Sequence, residues 1–237
     1  MLGPDRRTMT RSQAEAAQID IGLRAHMLRV YNYMASGVAL TGIVAMLASS
    51  SPALMNAIFG TPLMWVVMLA PLAFVMVLSF GIHRLSLFAS QALFWLFAAV
   101  MGLSLSTIFL VYTGESIARV FFITAAAFGA LSLYGYTTKR DISGWGSFLF
   151  MGLIGIIIAG VVNLFMQSSA MQFAISVIGV LVFAGLTAYD TQKIKNEYSE
   201  LHDYETSGKL AVMGALRLYL DFINLMMMLL HLFGNRR

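Results

Sequence analysis

Seven apolar stretches, each about as long as a membrane-spanning helix, dominate this sequence. They lie near residues 30–49, 63–82, 89–111, 117–138, 148–167, 173–191 and 212–233. A helix needs roughly 20 apolar residues to cross the hydrocarbon core of a bilayer. Because backbone polar groups find no water there, helices are the expected spanning form, and the alternation typical of a β-barrel is not visible. The sequence therefore predicts an all-α membrane protein with seven transmembrane helices.

The composition of the chain excludes a water-soluble fold. Of the 237 residues, 59% are hydrophobic and 11% are charged, whereas a soluble domain carries roughly 25% charged residues. The first 27 residues differ, because they are polar and carry both signs of charge. We therefore predict a polar cytoplasmic tail over residues 1–27 and one seven-helix domain over residues 28–237. The absence of cysteine excludes a disulfide framework and a thiolate site.

The basic residues predict the orientation of the chain. Twelve of the fifteen Lys and Arg residues fall in the tail and in the loops on the same side of the membrane, namely Arg6, Arg7, Arg11, Arg24, Arg29, Arg84, Lys139, Arg140, Lys193, Lys195, Lys209 and Arg217. The positive-inside rule places this side, with the N-terminus, in the cytoplasm. Seven passes then place the C-terminus outside, although Arg236 and Arg237 would also fit a last helix that dips into the membrane and returns. A net charge of +4 needs no nucleic-acid partner.

Two acidic residues lie within apolar stretches, where ionised side chains are costly. Asp190 ends the sixth stretch and Asp221 interrupts the seventh. A charge at the centre of a membrane helix costs at least ~3 kcal/mol on insertion scales, and such residues usually face a bundle interior or a water-filled cavity. Simpler explanations are an interfacial Asp190 that reaches water, and an ion pair between Asp221 and Arg217 on the same helix face.

The depth of Asp221 decides whether the two acids can meet. If helix seven enters the membrane near Arg217, whose side chain reaches the interface, Asp221 lies about one turn deep and level with Asp190. Residues 211–216 would then lie near the membrane surface. Two carboxyl groups in contact cannot both ionise at low cost, so such a pair shares a proton and titrates as a unit. Protonated, it would hold two helices together; deprotonated, it would repel itself or bind a hard cation such as Ca²⁺.

Four further residues complete the predicted site. Arg84 lies at the cytoplasmic end of helix two, level with the acids, and is either a mobile counter-charge for them or an ordinary membrane anchor. His83, beside it, could tune a pH response. Asn224 follows Asp221 by three residues on the same face, so we expect it to orient that carboxyl, and Arg217 is the nearest base.

The segments AYDTQKIK and LYLDFINLMMMLL, which contain Asp190 and Asp221, resemble the paired signatures of the Bax inhibitor-1 family. The resemblance runs from about residue 28 to 234, and Arg84 also matches. It implies six helices around a central C-terminal helix, and a pH-sensitive calcium leak in which Asp190 and Asp221 form the sensor and contact Ca²⁺ while Arg84 takes part in gating. It also implies a bacterial inner-membrane protein that needs no cofactor and whose partners are membrane lipid, protons and Ca²⁺.

The chain departs from this family pattern between the two acids. The stretch is longer and more polar, with the additional acids Glu197, Glu200, Asp203 and Glu205. We expect these acids to shift the titration of the pair or to concentrate cations near it.

Two other functions are compatible with an acid pair in a membrane. A non-transporting scaffold that binds other membrane proteins would conduct nothing. An intramembrane aspartyl protease would use two acids that share a proton, and Tyr189-Asp190 fits the first half of its pattern. The second half should read Gly-x-Gly-Asp, whereas residues 218–221 read LYLD. The sequence therefore favours a function without catalysis.

Overall fold

The structure, a computed structural model, describes residues 11–199 and 201–237, with side chains from residue 21 onward. Its helices are α1 (Arg11–Ser49), α2 (Pro52–Phe59), α3 (Leu63–Gly81), α4 (Leu87–Leu105), α5 (Ile108–Val111), α6 (Gly114–Thr137), α7 (Gly146–Met166), α8 (Ser169–Glu197) and α9 (Tyr204–Phe233). Seven segments of this described part are long and apolar enough to cross a membrane, since α2 lies in a loop and α5 continues α4. The predicted all-α architecture with seven spanning helices is confirmed.

Hydroxyl caps begin several of these helices and keep the connections short. The side chains of Ser51, Ser86, Thr113 and Ser168 each accept a hydrogen bond from a backbone N–H in the first turn of α2, α4, α6 and α8. Such caps satisfy donors that a helix leaves unpaired at its N-terminus. Gln167 closes α7 in the left-handed conformation, with φ of 51°. Consecutive helices therefore reverse direction within a few residues.

The C-terminal helix α9 lies at the centre of the bundle. In its most apolar window 61% of the residues are buried, against 11–39% in the other six spans. It packs against α1, α3 and α4 on one side and against α6 and α8 on the other, and α7 lies outside α8. The arrangement of six helices around a central seventh is therefore confirmed.

The last helix crosses the bundle once and does not return. Beyond α9, the Arg237 N–H donates to the Val111 carbonyl at 3.0 Å, and the Thr113 N–H donates to the Asn235 carbonyl at 3.1 Å. This short antiparallel pairing fixes the C-terminal segment beside the connection between α5 and α6. The alternative of a last helix that dips and returns is therefore wrong.

Three helices extend beyond the apolar stretches that predicted them. α1 begins at Arg11, so the predicted boundary at residue 27 falls inside a helix in which Met27 and Val30 are buried. Residues 1–10 of the predicted tail lie outside the described residues. α8 continues to Glu197, and α9 begins at Tyr204. Polar turns can continue a helix without raising its hydropathy, so apolar length alone does not locate these ends.

Residues 211–216, which were expected to lie near the membrane surface, form part of α9 and are covered by neighbouring helices. Ala211, Val212 and Leu216 are buried in the main apolar cluster. One turn earlier, the Leu87 side chain fills the space beside Gly208. This segment is buried because α9 is central in the bundle, and the surrounding helices cover it before it reaches Arg217.

A buried hydrogen-bond chain ties α9 to α1 and α4. The Thr41 hydroxyl lies 2.7 Å from the Ala98 carbonyl oxygen and 2.6 Å from the Tyr219 hydroxyl. Because Thr41 has a single hydroxyl proton and donates it to the carbonyl, Tyr219 must donate to Thr41. The Tyr219 ring packs edge-on against Phe94 and Phe97. The central helix is thus held in register by one polar contact within an aromatic cluster.

Tyr219→Phe is expected to lower the free energy of unfolding by about 1 kcal/mol, the usual net contribution of one hydrogen bond. The substitution removes the donor to Thr41 and keeps the aromatic packing. Thermal unfolding in detergent micelles measures the change. Tyr134→Phe is the control, because Tyr134 is half exposed on α6. An equal loss of unfolding free energy in both variants would contradict a stabilising role for this hydrogen-bond chain.

Candidate functional site: a carboxyl pair between α8 and α9

The side chains of Asp190 on α8 and Asp221 on α9 lie in hydrogen-bonding contact. The two helices are antiparallel neighbours, with Ile194 against Gly214 on one side of this level and Met228 against Gly179 on the other. Asp221 is 5% exposed and Asp190 is partly buried. The structure therefore brings the two acids together through the register of two antiparallel helices.

One oxygen of the pair lacks an ordinary hydrogen-bond donor. Oδ2 of Asp221 is buried and accepts no hydrogen bond from an N–H or hydroxyl group of the described residues. A buried acceptor without a donor costs about 1–3 kcal/mol, and more when it is charged. A protonated carboxyl can supply a donor, because it carries one O–H group. The arrangement is therefore suited to a proton held between the two carboxyls.

The pair lines a cavity of about 540 Å³ between α7, α8 and α9. The two acids share its polar end with Lys193 and Arg217. Its apolar wall is formed by Phe150, Leu153, Phe183 and Leu186. Since α7 packs mainly on α8, the cavity lies between the central helix and the most peripheral one. Both signs of charge therefore meet at one end of a partly apolar space.

Arg217 pairs with Glu197 rather than with Asp221. Its Nη1 atom lies 2.9 Å from Oε1 and 3.0 Å from Oε2 of Glu197 near the end of α8. The two side chains are each 31% exposed. An ion pair between Arg217 and Asp221 is therefore not the reason that Asp221 is tolerated in this helix.

Sequence reasoning did not assign Glu197 to Arg217. It treated Glu197 as one of several acids between the two helices and considered only partners one turn away for Arg217. The antiparallel register that places position 190 beside 221 also places position 197 near 214, within reach of a long arginine side chain. That register was the signal available in the sequence. Lys193, one turn after Asp190, is a second cation of the cavity that went unassigned.

Among the described residues, no hydrogen bond or ion pair joins Arg84, His83 or Asn224 to the acids. Arg84 and His83 are exposed in the turn between α3 and α4, and neither lines the cavity. Asn224 lines it, but its amide donates to the Leu220 carbonyl at 2.8 Å. Such a bond to the preceding turn satisfies the amide locally. The Asn224 amide is therefore engaged with its own helix, and no hydrogen bond of the described residues supports the expectation that it orients the Asp221 carboxyl.

Buried apolar side chains separate the pair from the opposite end of the bundle. Val182, Phe183, Leu225 and Leu229 belong to this layer. Beyond it, Gln172 and His231 line a polar cavity of about 370 Å³, and Gln172 Nε2 lies 3.2 Å from His231 Nδ1. An apolar layer therefore lies between the cavity at the acid pair and the polar cavity beside His231.

The pair alone cannot enclose a metal ion. In the described part of the chain, no group of three or more His, Cys, Asp or Glu side chains is placed to hold one. Ca²⁺ takes six to eight oxygen ligands, and two carboxylates supply four at most. Water or backbone carbonyls would have to complete the shell. Such contacts suit the brief binding of a passing ion rather than tight binding.

Comparisons with known proteins identify the family. The family described as "Inhibitor of apoptosis-promoting Bax1" matches residues 23–237, which include both acids. The chain is 51% identical over 219 residues to the inner membrane protein YbhL of Escherichia coli, covering 91% of this chain and 94% of YbhL. It is 50% identical over 218 residues to protein RP147 of Rickettsia prowazekii, covering 92% of each. A Streptococcus pyogenes membrane protein is 38% identical over 221 residues, covering 92% of this chain and 96% of that protein. With its seven apolar spans, the chain is an integral multi-pass membrane protein of the Bax inhibitor-1 family.

Proposed function

We propose that this chain is a pH-controlled leak pathway for Ca²⁺ in a bacterial inner membrane, gated by the carboxyl pair Asp190–Asp221. The observation that carries the proposal is the contact of two carboxyls at the wall of a cavity, one of them buried with an oxygen that lacks a donor. Two acids in contact respond to pH as one unit. Conduction involves no covalent step, so the proposed function is neither enzymatic nor dependent on a cofactor.

The end of the bundle that holds the pair is proposed to face the cytoplasm. Among the described residues it carries Arg24, Arg29, Arg84, Lys139, Arg140, Lys193, Lys195, Lys209 and Arg217. The opposite end carries Arg119, Arg236 and Arg237. This asymmetry is what the positive-inside rule describes for cytoplasmic loops. The printed name of the E. coli relative supports an inner-membrane location.

In the closed state, one proton lies between Asp190 and Asp221. It supplies a donor for the carboxyl contact and holds α8 against α9. The apolar layer that includes Phe183 and Leu225 stays packed, because these side chains lie on the same two helices. An ion cannot cross such a layer without losing water that nothing there replaces.

In the open state, loss of the proton leaves two carboxylates in contact. Their repulsion loosens α8 from α9, and the same charges attract a divalent cation into the cavity. α7 can yield most readily, because it packs mainly on α8 at the outside of the bundle. Arg84 lies outside the cavity in this conformation, so its proposed part in gating requires movement of the turn between α3 and α4.

Purified protein in liposomes loaded with a calcium-sensitive dye tests the proposal directly. With equal pH on both sides, Ca²⁺ uptake is expected to rise with pH, because deprotonation opens the pathway. Protein-free liposomes measure the background, and a calcium ionophore added at the end confirms that the dye responds at each pH. Uptake no faster than background at every pH would reject the leak and leave the non-transporting scaffold as the better account.

A further inference from the structure

Arg217 lines the cavity beside Asp190 and Asp221, which we call the acid cavity. Its positive charge is paired with a third acid. It precedes Asp221 by one turn of α9 and lines the same cavity as both members of the pair. Its guanidinium nevertheless binds Glu197, with Nη1 at 2.9 and 3.0 Å from the two carboxylate oxygens. The side chain therefore stands near the pair while Glu197 neutralises it.

The charges that face the pair come from two helices. α8 contributes Lys193 and Glu197, and α9 contributes Arg217, all of which act electrostatically on Asp190. The cavity residues from α7 are Gly146, Ser147, Phe150 and Leu153, none of which is charged. The two cations favour loss of the shared proton, and Glu197 opposes it. Glu197 thus acts twice, as a negative charge and as the group that restrains the arginine.

One further titratable group faces Glu197. His26 on α1 is 4% exposed, packs against Tyr198 and lies within electrostatic range of Glu197. Its Nδ1 atom is buried and has no hydrogen-bond partner among the described residues. Because His26 and Glu197 act on each other electrostatically, the titration of His26 has to be controlled in any test of Glu197.

We propose that Glu197 is a positioning residue that holds Arg217 away from Asp190 and thereby sets the pH at which the Asp190–Asp221 pair loses its shared proton. That this titration controls calcium flux rests on the proposed function, whereas the effect of Glu197 on the titration of the pair does not. The proposal makes a signed prediction, because Glu197 and Arg217 act on the pair in opposite directions.

Glu197→Gln is expected to move the titration of the pair to lower pH. The substitution removes an anion and releases Arg217 toward Asp190, and both changes favour the ionised pair. Arg217→Gln is expected to move the titration to higher pH, because it removes the cation and leaves the Glu197 charge in place. Each shift should be about one pH unit. This is the low end of the range for pKa shifts caused by a neighbouring charge, because the Arg217 and Glu197 side chains are both partly exposed.

The matched control is Glu205→Gln. Glu205 forms an exposed ion pair with Lys209 at 2.8 Å on the same helix α9, but does not line the acid cavity. The change in charge and chemistry is the same as in Glu197→Gln. We expect no shift in the titration of the pair. Arg217→Lys keeps the cation and should return the titration toward that of the unmodified protein.

Infrared spectroscopy of the protein in lipid, titrated without Ca²⁺, reports the pair itself. The C=O stretch of the protonated carboxyl is assigned by its loss in Asp190→Asn and Asp221→Asn. The measurement is repeated in a His26→Gln background, so that a shift caused by the histidine is recognised. Opposite shifts in Glu197→Gln and Arg217→Gln, with none in Glu205→Gln, support the proposal when they appear in both backgrounds.

Shifts of the same sign, equal shifts in Glu205→Gln, or no shift in either variant would overturn the inference. So would a shift of Glu197→Gln that disappears in the His26→Gln background. Failure of the leak is a separate result, because a protein that conducts no Ca²⁺ but shows the two opposite infrared shifts retains Glu197 as a positioning residue. A pH-dependent leak without those shifts rejects the positioning role alone.

Discussion

Asp221→Asn is expected to hold calcium uptake at its low, acidic-pH level across the whole pH range. The unmodified pair carries one negative charge with the shared proton and two without it. An asparagine amide does not ionise, and its N–H group can donate to the Asp190 carboxylate. The site then reaches one negative charge at most, so the repulsion between α8 and α9 cannot develop. Asp190→Asn is expected to act in the same way.

The effect should be large because two charges in contact repel strongly. Two unit charges 4 Å apart repel by about 4 kcal/mol at an effective dielectric constant of about 20. Since about 1.4 kcal/mol corresponds to a tenfold change in an equilibrium, removal of that repulsion should lower uptake at alkaline pH on the order of 1,000-fold. The liposome assay with equal pH on both sides measures it.

Asp141→Asn is the control for the change in charge. Asp141 lies in the exposed connection between α6 and α7, where hydrogen bonds from the side chain and backbone of Ser143 hold its pKa below its usual range. It is therefore ionised throughout the assay, and its loss removes one exposed charge that neither lines the cavity nor is among the charges acting on Asp190. Asp221→Glu keeps a titratable carboxyl and should restore the pH response. An unchanged pH profile in both Asp190→Asn and Asp221→Asn would contradict the pair as the sensor.

Gly135→Ala is expected to destabilise the protein by about 1–3 kcal/mol, the usual cost of overpacking a close contact. A Cβ atom at position 135 on α6 would fall against the carbonyl oxygen of Ala188 on α8. Because that neighbour is backbone rather than a flexible side chain, the two helices must separate. Ala188 precedes Asp190 by two residues, so the substitution is also expected to disturb the carboxyl contact. Unfolding in detergent and the pH profile of uptake are the two measurements.

Gly129→Ala on the same helix is the matched control. A Cβ atom at position 129 meets no other atom within 4 Å. Alanine is favoured over glycine in a helix by roughly 1 kcal/mol, so this variant should be as stable as the unmodified protein or slightly more stable. Equal destabilisation of the two variants would show that loss of glycine flexibility, and not the approach of α6 to α8, determines the result.

The spanning helices were predictable from the sequence, but their ends were not. Hydropathy reports the length of chain that lipid can surround, and it located seven such segments. It carries no information on polar turns that continue a helix past the apolar core, so the starts of α1 and α9 and the end of α8 were misplaced. The burial of Ala211 and Leu216 depends on the central position of α9 and therefore on tertiary packing.

The pairing of Asp190 with Asp221 was predictable from the sequence, but the contacts of the charged residues around them were not. Asp190 and Asp221 are acids in apolar runs, which is costly enough to demand a partner. Glu197 ends α8, where charges are common, and Arg217 was expected at the membrane interface, so neither residue demanded a partner. Their pairing follows from helix register, which hydropathy does not report. Arg84 matched a family pattern, but side-chain contacts depend on the conformation, and here it lies away from the pair.

The pairing within α8 and α9 also bears on how the chain enters the membrane during synthesis. Asp190 contacts Asp221, and Glu197 binds Arg217, so these four polar side chains find partners within one helical hairpin. Its two helices are consecutive and joined by a short connection. If they leave the insertion machinery together, the acids need not enter lipid singly, at a cost of at least ~3 kcal/mol each at a helix centre. The contact that we propose as a gate would then also lower the energetic barrier to biogenesis of the central helix.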